Sequence, residues 1–234
     1  MSHSLVVKAA NLIREGDIAG AEFALVSLAE SDGDHALVAV LEEMPPKDLL
    51  AIIREYDSSK ESVVNLLVTP EQFARTVVME KLYADTTHAR LRGMINAVLF
   101  REGSEPGEFI EAIGEVDGGC EALVDYLSEY DDAVVHFNQY GTFNRHHSEE
   151  GDDVERSEAS DHDWRELTWL LKHDHPDMYE QIIPVLKMRL KKRLELEAEL
   201  ESEEHQAMQG DTSDNEVPAH KSKSTLDPSE ESAL

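Results

Sequence analysis

A lone cysteine, Cys120, excludes an intramolecular disulfide and any multi-cysteine metal cage, and it fits a reducing compartment. Positive charge is scarce as well. Lysine and arginine number 21 against 50 acidic residues, a formal charge of −29, which opposes contact with nucleic-acid phosphates and anionic membrane surfaces. Direct nucleic-acid binding is not expected. No stretch approaches the roughly 18 uncharged apolar residues that span a bilayer, so no membrane insertion is expected. The first residues, Met1 to Lys8, lack the basic start and apolar core of a secretory signal. A soluble, cytoplasmic protein is the expectation. The chain also lacks a phosphate-cradling glycine loop, a G-x-S-x-G elbow and an H-E-x-x-H helix. Neither enzymatic activity nor a cofactor is therefore expected.

What is present is apolar periodicity. The hydrophobic fraction of 41% over 234 residues can supply a sizeable core. Three segments open with proline and place apolar groups three and seven positions later: Pro46 with Leu49 and Ile53, Pro70 with Phe73 and Val77, Pro106 with Phe109 and Ile113. Proline suits a first helical position, where its missing N–H has no intrahelical partner, and groups four apart share one helix side. Thr69-Pro70-Glu71-Gln72 adds a capping box, in which the threonine hydroxyl and the glutamine side chain satisfy each other's backbone donors.

Other helices follow from spacings of three and four. Leu5, Val6, Ala9, Leu12 and Ile13 mark one from Ser4 to Glu15; Ile18, Ala21, Leu25 and Leu28 mark a second, capped by Asp17. Leu37, Val38, Val40 and Leu41 mark a third that stops at Pro45. Further helices are read from about Lys60 to Val68, from Thr86 or Thr87 past Leu99, over Cys120 to Tyr130, and from Asp131 or Asp132 to Gly141. Helices this short need tertiary burial. The fold class is accordingly all-α, a short-helix superhelix or solenoid-like domain followed by a helical arm and a disordered tail. The expected division is an acidic helical-repeat domain over 1–143, an acidic linker over 144–160, a helical hairpin or arm over 161–206, and a disordered tail over 207–234. Pro184 is expected to interrupt or kink the long helix of the arm.

Few groups carry candidate chemistry. His162, Glu166, His173 and His175 offer imidazole and carboxylate donors suited to zinc, although His173 and His175 would not face the same way on one helix; the plainer reading is exposed polar residues beside a linker. Cys120 begins a helix, where the dipole favours thiolate, but His136 is the only plausible base and a small buried cysteine is the simpler reading. Lys187, Arg189, Lys191, Lys192 and Arg193 form a dense basic run, followed by Glu195, Glu197, Glu199, Glu201, Glu203 and Glu204. Such a helix either docks a partner or pairs its charges internally. Trp164, Trp169, Leu186, Leu190 and Leu194 are the candidate anchors for a protein partner.

Leu41-Glu-Glu-Met-Pro-Pro-Lys-Asp-Leu-Leu50 and Val68-Thr-Pro-Glu-Gln-Phe73 resemble the cytosolic N-terminal superhelical domain of MgtE-type magnesium transporters and the related helical units of the flagellar switch protein FliG. The resemblance covers residues 37–113 and implies a helical superhelix used for regulatory contacts. The regulatory and membrane domains that accompany it in the transporters have no counterpart here, so magnesium gating is not carried over. The leading functional expectation is a non-enzymatic, acidic helical interaction or adaptor protein that binds a protein partner, whose surface the acidity suits to be basic. Two alternatives rest on the charge: a nucleic-acid-mimicking inhibitor of a basic protein, and a regulatory domain responsive to divalent cations. The partner and the oligomeric state are not legible at this level.

Overall fold

In a computed structural model of the protein, the described residues are 4–56, 62–83, 87–101, 103–144, 154–155, 159 and 163–210, with side chains through 203. Among them every regular element is helical. The helices are α1 (Ser4–Glu15), α2 (Ile18–Asp32), α3 (Asp34–Glu43), α4 (Pro46–Glu55), α5 (Val63–Leu67) and α6 (Pro70–Lys81). They continue with α7 (Ala89–Leu99), α8 (Pro106–Glu115), α9 (Gly119–Leu127), a 3-10 turn (Ser128–Tyr130), α10 (Asp131–Tyr140), α11 (Trp164–His173) and α12 (Pro176–Gly210).

Local rules set many of the boundaries. Each of the three prolines stands at the first turn of its helix, and Leu49, Ile53, Phe73, Val77, Phe109 and Ile113 are all buried. The capping box forms: Thr69 Oγ1 accepts from the Gln72 N–H at 3.4 Å, and Gln72 Oε1 accepts from the Thr69 N–H at 3.0 Å. Asp17 caps α2 by accepting from the Gly20 N–H at 2.8 Å. Two starts fall later than the periodicity predicts. The Ser62 hydroxyl caps α5, so that helix is shorter than Lys60 to Val68, and α7 begins after His88, which adopts a left-handed φ of 51°.

Met1–Lys191 form one compact unit and Lys192–Leu234 a second. In the first unit, α6 packs against α4, α7, α8 and α9, while α2 touches α1, α3, α4 and α5, so the helices gather round α6 as well as stacking in chain order. Its core continues through Trp164, Leu167, Leu170, Leu171, Tyr179, Ile182, Ile183 and Leu186. Residues of α11 and the first part of α12 thus share a buried core with the helices of residues 4–143. The reason is aromatic. Trp164 stacks on Tyr130 at 4.5 Å and meets the edge of Phe143 at 5.3 Å, contacts that bury its large ring. In the 144–160 interval, the Val154 N–H donates to the Gly141 carbonyl at 3.0 Å, while residues 145–153 lie outside the described set.

Of the two expectations for Pro184, interruption does not occur: it lies inside α12 without ending it. The proline ring is on the exposed side beside exposed Glu180 and Gln181, where solvent can satisfy the carbonyl that proline leaves without a donor. The second unit consists, among described residues, of the rest of α12, which extends to Gly210 into the segment expected to be a tail.

Candidate functional site

The Asp163 carboxylate starts α11 by accepting from the Arg165 N–H at 2.8 Å. That helix buries one face, and the proposed anchors divide accordingly. Trp164 is 9% exposed inside the aromatic cluster and Leu186 is fully buried, so both are core residues and not docking anchors. Trp169 is half-buried, and its indole N–H donates to the Val154 carbonyl at 2.8 Å, which ties the preceding segment to α11. Leu190 is half-buried and Leu194 is exposed. Trp169, Leu190 and Leu194 thus keep solvent-accessible surface.

The metal reading fares differently. His162 lies outside the described residues. Glu166 is buried in the core, His173 is exposed and stacks on Trp169 at 4.3 Å, and His175 sits at the α11–α12 turn. Among the described residues no three His, Cys, Asp or Glu side chains gather as metal ligands. Glu166 and His173 are seven residues apart and share a side of α11, but they stand about 10 Å apart along its axis, too far to meet at one ion. A cleft of about 390 Å³ beside His175 is lined by Glu111, Glu115, Asp174, Asp177 and Met178, and Met178 sulfur packs directly over Gly114. Imidazole Nε2 of His175 is buried there without a hydrogen bond and 3.7 Å from where a Gly107 side chain would start.

Burial, and secondarily the adjacent Glu121 carboxylate, push the pKa of Cys120 up, opposite to the lowering expected at a helix start. Tyr126, deeper in the same helix, donates to Asn96 Oδ1 at 2.6 Å, and burial raises its pKa well above the usual phenol range.

The basic run of α12 is partly committed to structure. Arg189 pairs with Asp125 of α9 at 2.7 Å, and Arg193 lies 3.9 Å from Glu197 one helical turn on. Between and beyond these cations the apolar side chains are uncovered: Met188 is 63% exposed, Leu194 53%, Leu196 51% and Leu200 61%. The run of leucines is legible in the sequence; which of them are uncovered is not. The leucine spacing shows a face, but nothing in that spacing says where the covering core stops. Among the described residues no helix is long and apolar enough to cross a membrane, so a bilayer-spanning role does not account for these side chains. Comparison with models of protein families, with characterised proteins and with solved structures gives no match to this chain.

Proposed function

We propose that the protein is a non-enzymatic helical interaction module that binds a protein partner through α12, with Leu190 and Leu194 as anchors on one side of the helix and Met188, Leu196 and Leu200 uncovered on its other sides. The supporting observation is the change of exposure along one helix: Ile182 and Leu186 are fully buried, whereas Leu194, Leu196 and Leu200 are each more than half exposed. Exposed large aliphatic groups carry no polar desolvation cost when covered and gain roughly 1.5–3 kcal/mol each when fully buried in an interface, less the rotamer entropy they lose. Flanking lysines, arginines and glutamates on the same helix would orient the partner and set its specificity. Tyr179, Ile182, Ile183 and Leu186, buried in the core, hold the start of α12. This reading also takes up the regulatory-contact role that the resemblance of residues 37–113 implies.

The test is affinity capture from cells of the source organism with the full chain and with a Leu194→Asp/Leu200→Asp variant. Far-ultraviolet circular dichroism controls for helix content. Partners held by wild type and lost by the variant are the expected result. An identical set of captured proteins with both chains would overturn the reading.

A further inference from the structure

The charges of α12 carry information about who the partner is. Five cations lie between Lys187 and Arg193, six carboxylates between Glu195 and Glu204, and Leu194 stands at the junction. Spacings of three and four place Lys187, Leu190, Lys191, Leu194, Glu197 and Glu201 on one side of the helix. Reversing the direction of the helix about Leu194 exchanges the two blocks. Lys187 then occupies the level of Glu201, and Lys191 the level of Glu197, while Leu194 returns to itself. A sequence with this property complements its own reverse.

Resting on the reading of α12 as a binding surface, we propose that the partner is a second copy of this chain, its α12 antiparallel to the first about a two-fold axis near Leu194. Such a contact is isologous, so each basic block meets the other copy's acidic block and Leu190 and Leu194 close between them. A parallel pair in register would set cations on cations and carboxylates on carboxylates, which repel. Arg189 keeps its bond to Asp125 and still has donors to spare, because guanidinium carries five N–H groups and this one is 41% exposed. Arg193 and Glu197, already neighbours within one helix, become part of a network of alternating charge between the two helices. The self-complementary span from Lys187 to Glu201 is short, about 22 Å at 1.5 Å per residue, so the association belongs to the weak class of interface.

The experiment is sedimentation equilibrium on full chains. Wild type is expected to rise from the 26.3 kDa monomer toward twice that mass as concentration increases. Lys187→Glu/Lys191→Glu and Glu197→Lys/Glu201→Lys are each expected to remain monomeric, and an equimolar mixture of the two is expected to regain the dimer. The mixture separates pairing between copies from lost helix stability, since the charge pairs inside each variant's own helix stay broken. Orientation is read from oxidation of Cys120→Ser chains. A Lys187→Cys chain is expected to cross-link to a Glu201→Cys chain and not to itself; self-linking of Lys187→Cys would overturn the antiparallel arrangement. A wild type that stays monomeric to about 1 mM, or a mixture no heavier than its components, overturns self-pairing. If capture of another protein still depends on Leu194 and Leu200 in that case, the binding reading stands while this inference falls.

Discussion

Arg189 and Asp125 meet at 2.7 Å across sixty-four positions of the chain, and their ion pair fastens α12 to α9. The carboxylate is the buried member, with 8% of its side chain exposed against 41% for the arginine. Removing the cation therefore strands a carboxylate that water reaches poorly. Arg189→Ala is expected to lower unfolding stability by about 1–2 kcal/mol, below the range for fully buried pairs because solvent screens the guanidinium. Arg189→Lys should recover part of that loss, since an ammonium supplies charge without the planar fork. Urea unfolding measures both, and a loss under about 0.5 kcal/mol for the alanine variant would reduce the pair to an ordinary surface contact.

The junction of α11 with the rest of the first unit depends on Trp164, which touches Tyr130 and Phe143, while Phe143 in turn stacks on Phe137 at 4.2 Å. Trp164→Ala leaves a cavity that these rings cannot all move to fill, so a loss of about 3–5 kcal/mol is expected. Trp169→Phe is expected to lose only the indole bond to the Val154 carbonyl, about 1 kcal/mol. Thermal unfolding followed by calorimetry separates the two. Equal losses would mean that the aromatic cluster is not what holds α11.

Those two tryptophans also mark how far the sequence could be read. Pro46, Pro70 and Pro106 begin helices as expected because the rule is local: a missing N–H and a fixed φ act within one turn. Phe73 and Val77 are core for a similarly short-range reason, their spacing on one side of α6. Trp164 was legible as a large apolar group, but its neighbours Tyr130 and Phe143 are remote in the chain, and periodicity reports a face without reporting what covers it. The same limit applies to α12. Leu186 and Leu194 share one spacing pattern, yet the first is fully buried and the second 53% exposed. Of the candidate site, the charges and leucines were readable, whereas the division between platform and open surface was not.

The tight connection from α8 to α9 depends on Gly118 and Gly119 for different reasons. Gly118 has a left-handed φ of 86°, while a side chain on Gly119 would overlap the carbonyl oxygen of Ile113. Backbone cannot swing aside as a flexible side chain can, so Gly119→Ala is expected to cost about 3 kcal/mol or more. Gly103 offers the comparison: its φ is 74°, but the space around it is open. Gly103→Ala should cost about 1 kcal/mol, the conformational penalty alone. Chemical denaturation of the two variants checks the contrast, and comparable losses would show that the connection relaxes around the added methyl.

Tyr126 makes the alkaline limit of stability testable. Its hydroxyl donates to Asn96 Oδ1 at 2.6 Å, and burial, reinforced by the carboxylate of Asp163 and by Tyr130, raises its pKa far above that of an exposed phenol. Above the unfolded phenol pKa of about 10, the unfolded chain releases this proton while the folded chain retains it. The folded state then binds more protons than the unfolded one, so unfolding free energy falls as pH rises. The stabilisation is complete below pH about 10 and is lost progressively above it. Tyr126→Phe removes the titrating group together with its hydrogen bond. It is expected to be less stable than wild type at pH 7 by about 1 kcal/mol, but to lose stability less steeply above pH 10. Guanidinium unfolding at pH 7, 9 and 11 follows both chains, and parallel pH profiles for the two would show that alkaline unfolding begins at other groups.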